Sequence, residues 1–99
     1  MALEMLIGVN VTDEAGYQAY RDNMTPLLEA HQGGFGYDFK VSEVLKSATK
    51  EPINRVFTIY FPDEATKDSF FANEDYVQIK HDHFENSVSH VTRIATYEK

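Results

Sequence analysis

Three of the chain's four histidines lie close together near its C-terminus, in the segment KHDHFENSVSH (80–90). Imidazoles bind transition metals and exchange protons near neutral pH, so such a group could hold a metal or act in acid–base catalysis. His81 and His83 are two residues apart, a spacing that directs them to nearly opposite sides of a helix. The segment has neither an i, i+4 pair of histidines nor an inward-facing carboxylate cluster. We therefore predict no metal and no cofactor, and interpret the segment as a solvated helix end in which His83 is a candidate for lining a pocket.

His31 is the stronger candidate for chemistry. It continues the apolar stripe of the first predicted helix and should therefore face the sheet. At the mouth of a cavity between helix and sheet, its imidazole could take or give a proton, which makes His31 our predicted catalytic residue. The alternative is a hydrogen-bonded histidine that closes the helix end. Four tyrosines are candidate companions in the pocket, although tyrosines of this kind more often belong to a core or an interface: Tyr17, Tyr20, Tyr37 and Tyr60.

Other kinds of site find little support. The chain has no cysteine, which excludes thiolate nucleophiles and disulfides, and it has no GxSxG elbow. The glycines at 33, 34 and 36 follow a helix and lack the lysine and hydroxyl residue of a phosphate-binding loop. Arg55 and Arg93 could neutralise an anionic ligand, but an arginine that is paired or extended along the surface explains each equally well.

Composition limits the partners. The 99 residues are predicted to form a single domain, 1–99, and carry a net charge of −7. Their basic residues are scattered, so no positive stripe exists for nucleic acid, and we expect none to bind. No apolar run approaches the roughly 18 residues that span a bilayer, and Glu4 stands where a signal peptide would carry a base. We expect a cytoplasmic protein without a membrane partner.

Hydrophobic periodicity predicts the elements that must position these residues. Four segments have the alternation or the β-branched and aromatic content of strands, and two have helical spacing. Pro26 is expected to kink the first helix or to restart it at Thr25, and Gly33 and Gly34 are expected to end it. The predicted order is strand Leu3–Val11, helix from Thr12–Glu14 to the glycines, strand Phe35–Val41, strand Arg55–Phe61, helix from Ala65 interrupted at Asn73–Asp75 and ending near Phe84, and strand Val88–Tyr97.

This βαββαβ order is the split βαβ arrangement of the α+β, ferredoxin-like fold. It predicts a four-stranded antiparallel sheet with two helices on one face. Four strands carry more apolar side chains than two helices can bury, and a bare aromatic sheet face would be a large apolar patch. We therefore expect a homodimer in which two subunits pack sheet against sheet.

Three sequence motifs, which follow one another along the chain, resemble those of a known family. They are Pro26 to Gly34 (PLLEAHQGG), Phe61 to Ala65 (FPDEA) and Asn73 to Ile79 (NEDYVQI). Together they resemble the DUF1330 family along nearly the whole chain. That family's pattern has His-Gly-Gly where Gln32 here separates His31 from the glycines, and it has Ser-Pro-Glu-Tyr where this chain has Asn73 to Tyr76.

The resemblance implies membership of the dimeric α/β-barrel group, with a dimer and a pocket but no particular reaction. It also places a histidine where His31 stands. We therefore expect a protein of uncharacterised function that binds a small organic molecule between sheet and helices; any catalysis would be cofactor-independent acid–base or monooxygenase-like chemistry. The alternative is a homodimer that binds a ligand without catalysis or is purely structural.

Overall fold

The computed structural model of the chain describes residues 2–99. Its strands are β1 (Leu3–Val11), β2 (Gly34–Lys40), β3 (Arg55–Phe61) and β4 (Val88–Glu98). Its helices are α1 (Glu14–Ala30), α2 (Glu64–Ala72) and α3 (Glu74–Ile79), and α3 continues into a π-helical turn, Lys80–Phe84. None of these helices is long and apolar enough to cross a membrane.

The strands form one antiparallel sheet in the order β2-β3-β1-β4. The two most apolar strands, β1 and β3, are therefore central, and the chain ends in an edge strand. The predicted βαββαβ order and four-stranded antiparallel sheet are confirmed. The second predicted helix is real but consists of α2, α3 and the π turn, because Asn73 caps a new helix with its side chain.

The core lies between one face of the sheet and the helices. Alternate residues of β1 point towards α1, and Val9 is 1% exposed. Tyr17 and Leu28 of α1 are fully buried against that face. The burial of these apolar side chains fixes the register of the strands, since a slip of one residue would turn them to the opposite face.

Helix α1 runs without interruption from Asp13, whose carboxylate accepts a hydrogen bond from the Gly16 amide. The expectation that the helix restarts at Thr25 is wrong. The Thr25 hydroxyl donates to the Arg21 carbonyl oxygen, one turn back, instead of capping a new helix. Pro26 lies on the exposed side of the same helix, where water can satisfy the carbonyl that loses its amide partner.

The end of α1 also differs from the expectation that glycines terminate it. Gln32 adopts the left-handed conformation, with φ of 61°, and neither glycine that follows has a positive φ. The Gln32 amide donates to the Glu29 carbonyl, and the Gly33 amide donates to the Leu28 carbonyl. This is a Schellman motif with glutamine at the position that glycine usually occupies.

An irregularity divides β2 between the two faces of the sheet. Phe35 pairs with Ile59 and Asp38 pairs with Phe57, so two residues of β2 oppose one of β3. Phe35 therefore faces the helices, whereas Tyr37 stacks on Phe39 on the other side. Simple alternation predicted one shared face, and β2 also stops at Lys40, before the predicted end at Val41.

The sheet face turned away from the helices, here called the outer face, carries a buried carboxylate and exposed aromatic rings. Glu4 is 6% exposed, and its Oε1 accepts a hydrogen bond of 2.6 Å from the Tyr97 hydroxyl. Tyr37 and Phe39 are 64% and 55% exposed on this face. The outer face is therefore the apolar surface that the helices leave uncovered.

Candidate functional site

A cavity of about 460 Å³ lies between the sheet and the helices. Its size falls within the range of small-molecule sites, roughly 300–1,000 Å³. Every strand contributes to its walls, together with α1, α2, α3 and the π turn. The lining consists of Met5, Ile7, Val9, Tyr20, Arg21, Met24, Phe35, Phe57, Ile59, Phe71, Tyr76, Lys80, Phe84, Val91 and Arg93.

The cavity borders solvent along β4. Val91 and Arg93 pair with Val9 and Ile7, so they face the helical side of the sheet. Val91 is nevertheless 54% exposed, and Arg93 is exposed as well. The opposite wall is buried, since Met24 is 1% exposed. The cavity therefore has an apolar interior and a mouth at the sheet edge.

Two tyrosine hydroxyls meet in the wall of the cavity. The oxygens of Tyr20 and Tyr76 are 2.9 Å apart, and both side chains are buried. Burial raises the pKa of Tyr20 well above its ordinary value and raises that of Tyr76 as well. Both hydroxyls are therefore neutral near pH 7. One donates to the other, and the second proton has no acceptor among residues 2–99.

The guanidinium of Arg21 is also built into the wall. Its side chain is 10% exposed, and its Cζ lies 3.9 Å from the centre of the Phe35 ring and 4.7 Å from that of Phe57. The Nε donates to the Tyr17 hydroxyl at 2.9 Å, and Nη1 donates to Asp38 at 3.3 Å. The remaining nitrogen, Nη2, is buried and has no hydrogen-bond partner within the described part of the chain.

Asp38 makes its shorter hydrogen bonds to a different arginine, Arg55. Its two oxygens accept from Nε and Nη2 of Arg55 at 2.8 and 2.7 Å, a bidentate pair. Hydrogen bonds from Arg55 are the main cause that lowers the pKa of Asp38. One carboxylate thus serves two guanidinium groups. Glu14, which is exposed, also approaches Arg55, at 4.0 Å.

The π turn shapes the roof of the cavity. The Glu85 amide donates to the Lys80 carbonyl, five residues back, which is the hydrogen bond of a π-helix. The wider turn places the Phe84 ring 4.8 Å from that of Tyr20 and brings Lys80 into the lining. Such turns occur frequently at functional sites.

Of the predicted pocket residues, only Tyr20 lines the cavity. Tyr17 lies behind it, fully buried, with its hydroxyl bound by Arg21. His83 is half-buried in the π turn and is not part of the lining.

The other two predicted pocket tyrosines belong to the outer face. Tyr37 is exposed there and stacks on Phe39. Tyr60 pairs with Glu4 across the sheet, and the Lys99 ammonium lies 5.1 Å from its ring centre. The structure therefore separates the four tyrosines into an inner pair and an outer pair.

His31 closes the C-terminal end of α1. Its Nδ1 lies 2.9 Å from the Leu27 carbonyl oxygen, and because a carbonyl oxygen can only accept, Nδ1 is the donor of this hydrogen bond. Its ring meets the edge of Phe70 with ring centres 5.5 Å apart. His31 is not among the residues that line the cavity. Its catalytic role stays a prediction.

The three C-terminal histidines occupy separate places. His81 and Glu85 form an exposed i, i+4 contact of 3.3 Å. His90, on β4, approaches Glu51 with Nε2 at 2.9 Å. Residues 2–99 contain no group of three or more histidine or carboxylate side chains placed to hold a metal ion.

Sequence reasoning missed Arg21 and Tyr76. The signal for Arg21 was its spacing, because it falls on the same helical stripe as the buried residues Tyr17, Met24 and Leu28. A charged residue on such a stripe must find partners or serve a ligand. Tyr76 gave a weaker signal, since a tyrosine at the start of a short helix is common in any core.

Residues 5–97 match the family model described as a domain of unknown function, DUF1330. The chain belongs to the DUF1330 family. This confirms the family suggested by the three sequence stretches. A search among curated proteins found no match.

Solved structures show the same fold. A protein of unknown function from Rhodopseudomonas palustris superposes with a TM-score of 0.81 at 18% identity, over 99% of this chain and 82% of that one. A dabb family protein with a ferredoxin-like fold from Mesorhizobium loti gives 0.68 at 14% identity, over 99% and 96%. A dimeric protein of unknown function with a ferredoxin-like fold from Bacteroides fragilis gives 0.64 at 9% identity, over 99% and 96%. These likenesses establish a ferredoxin-like fold for this DUF1330 protein.

Proposed function

We propose that this DUF1330 protein is a homodimer of the dimeric α/β-barrel type, and that each subunit binds a small organic molecule in the cavity between sheet and helices. The main support for this proposal is the cavity. It has a volume of about 460 Å³, an apolar interior and a few polar groups, which is the arrangement typical of small-molecule sites.

The polar groups of the cavity suit binding better than catalysis. Tyr20 and Tyr76 stay protonated near neutral pH, so they suit hydrogen-bond donation better than proton abstraction. Acid–base or monooxygenase-like chemistry would need another group, and His31 remains the candidate for it. Its Nε2 is the atom that could exchange a proton, since Nδ1 is hydrogen-bonded to the Leu27 carbonyl oxygen.

The outer face supports the homodimer. Tyr37, Phe39 and Tyr97 are between 40% and 64% exposed there, which is much aromatic surface to leave in water. At least one solved structure with this fold is described as dimeric. Packing two outer faces together would remove these rings from solvent. The same observation favours the second candidate, a purely structural dimer in which the cavity stays empty.

Titration of the protein with benzamide, followed by ¹H–¹⁵N NMR, tests the binding proposal. Benzamide is neutral and small, with an aromatic ring for the apolar floor and an amide oxygen for a tyrosine hydroxyl. We expect saturable shifts in the amides of the cavity-lining residues. An absence of saturable shifts up to the solubility limit of benzamide would favour the structural dimer.

A matched pair of variants locates the binding site. Val91→Trp places an indole in the cavity mouth, and Val77→Trp makes the same change on the surface of α3. The two valines are 54% and 52% exposed, so neither change disturbs the core. We expect Val91→Trp to weaken benzamide binding and Val77→Trp to leave it unchanged. Equal effects of the two changes would place binding outside the cavity.

A further inference from the structure

The positive charges of this protein are unevenly placed. The whole chain has sixteen acidic residues and nine basic ones. As far as the structure describes the chain, the cavity lining nevertheless contains Arg21, Lys80 and Arg93 and no carboxylate. A cavity of one sign of charge with low-dielectric walls concentrates ligands of the opposite sign.

The Nη2 of Arg21 is the most informative atom. Buried polar groups nearly always have hydrogen-bond partners, and a charged group without one is costly. The Arg21 side chain is only 10% exposed. Its guanidinium lies over the rings of Phe35 and Phe57, which both line the cavity. Arg21 itself lines the cavity, so a ligand oxygen there that reaches Nη2 would satisfy it.

The charge of Arg21 is incompletely neutralised by the protein. Among residues 2–99, Asp38 is its only carboxylate neighbour within ion-pair distance, at 3.3 Å, and the same carboxylate binds Arg55 more closely at 2.7 Å. A second anion beside Arg21 would therefore gain attraction without displacing an existing pair.

Building on the proposed function, we infer that the ligand is a small monocarboxylic acid with an apolar body. Its carboxylate accepts hydrogen bonds from Arg21 Nη2 and from the free proton of the Tyr20–Tyr76 pair. Its body lies on the apolar floor formed by β1 and β3. Arg93 and Lys80 stand at the exposed mouth and attract the anion as it enters.

The donor set favours a carboxylate over a phosphate. One free guanidinium nitrogen and one free hydroxyl proton match the two oxygens of a carboxylate. A dianionic phosphate has three oxygens that need donors, and the donors of Lys80 and Arg93 lie at the exposed mouth, so a phosphate at the buried end would keep one oxygen unsatisfied. The aromatic and aliphatic walls also need an apolar partner, which inorganic phosphate does not supply.

Comparison of benzoate with benzamide tests the inference on the intact protein. The two probes have nearly the same shape and differ in charge. We expect benzoate to bind at least about tenfold more tightly, the effect of one charge-assisted hydrogen bond, and to move the side-chain ¹⁵N resonances of Arg21. Arg21→Gln should remove the preference for benzoate while benzamide still binds.

A second variant keeps the test decisive if Arg21→Gln does not fold. Arg93→Gln changes an exposed residue at the mouth and should reduce benzoate binding alone. Equal affinities of the two probes, with no movement of the Arg21 resonances, would overturn the carboxylate inference and leave the proposed function standing. If neither probe binds, both fail. Benzoate shifts confined to residues outside the cavity would also overturn the inference.

Discussion

The hydroxyl oxygens of Tyr20 and Tyr76 lie 2.9 Å apart although the residues are 56 positions apart in the chain. Tyr20 belongs to α1 and Tyr76 to α3. The hydrogen bond between them therefore ties the first helix to the third inside the cavity wall. Only one of the two hydroxyl protons is used in this bond, and the other is the proton that we propose the ligand carboxylate accepts.

Removal of either hydroxyl should lower the free energy of unfolding by about 1 kcal/mol, the net value of a buried hydrogen bond. The variants are Tyr20→Phe and Tyr76→Phe, compared with the double variant by chemical denaturation. Because either single change already breaks the bond, the double variant should lose less than the sum of the two. Additive losses would contradict a direct interaction.

The left-handed glutamine at the end of α1 predicts a stabilising substitution. Gln32→Gly should raise the free energy of unfolding by about 0.5–1 kcal/mol, because glycine adopts positive φ without a steric penalty. Gly33→Ala is the control, since its Cβ would come within 2.7 Å of the Tyr60 carbonyl oxygen. That change should destabilise. Thermal denaturation of both variants measures the two effects, and a destabilised Gln32→Gly would show that the glutamine side chain makes a compensating contact.

Acid should lower the free energy of unfolding through Glu4 on the outer face. Its pKa lies below the ordinary 4.5, first because the Tyr97 hydroxyl donates to it, and Lys99 contributes as well. Since the folded pKa is lower than the unfolded one, the stabilisation is complete above about pH 4.5 and disappears as pH falls through the folded pKa.

Tyr97→Phe should therefore raise the pKa of Glu4, measured by NMR titration of its side-chain carboxyl carbon. Tyr37→Phe is the control, because its hydroxyl makes no hydrogen bond among the described residues on the same face. An unchanged Glu4 pKa in Tyr97→Phe would assign the shift to Lys99 instead.

Charge on the outer face should break the proposed dimer. Phe39→Asp places a carboxylate at a ring that is 55% exposed, and burying it in an interface would be costly. Light scattering after gel filtration should show a dimer for the wild type and a monomer for Phe39→Asp. Val77→Asp, on the helical surface, should remain dimeric. A monomeric wild type would refute sheet-to-sheet packing outright.

His31→Ala separates a role in the cavity from a role at the helix end. The change removes the hydrogen bond to the Leu27 carbonyl and the contact with Phe70, so the free energy of unfolding should fall by about 1 kcal/mol. Benzamide affinity should stay within twofold of the wild type, because His31 does not line the cavity. A selective loss of affinity at unchanged stability would instead support the predicted functional role.

The strands could be predicted from the sequence because their residues alternate or are β-branched, and the bounds of β1 and β3 agree with the structure. The faces of β2 could not, since a bulge depends on pairing with β3 and leaves no mark in local periodicity. The π turn could not be predicted either, because it is defined by one backbone hydrogen bond, from the Glu85 amide to the Lys80 carbonyl, which local periodicity does not reveal.

Most of the candidate site depended on contacts between distant segments. Tyr20 and Tyr76 meet only after α1 and α3 pack together, and the unpaired Nη2 of Arg21 is visible only when every neighbouring acceptor is placed. The sequence favoured His31 because its residue type suggests chemistry. Burial and unmet hydrogen-bonding capacity, which direct attention to Arg21, are properties of the folded chain.

The bulge in β2 has a consequence for length variation within the family. Gly36 and Tyr37 together oppose Thr58, so removing one of them would restore regular alternation and leave Phe35, Asp38 and Phe39 on their present faces. A deletion between Asp38 and Lys40 would instead turn the rest of the strand over. Insertions and deletions that distinguish relatives in this strand are therefore expected at positions 36–37 and should be absent from 38–40.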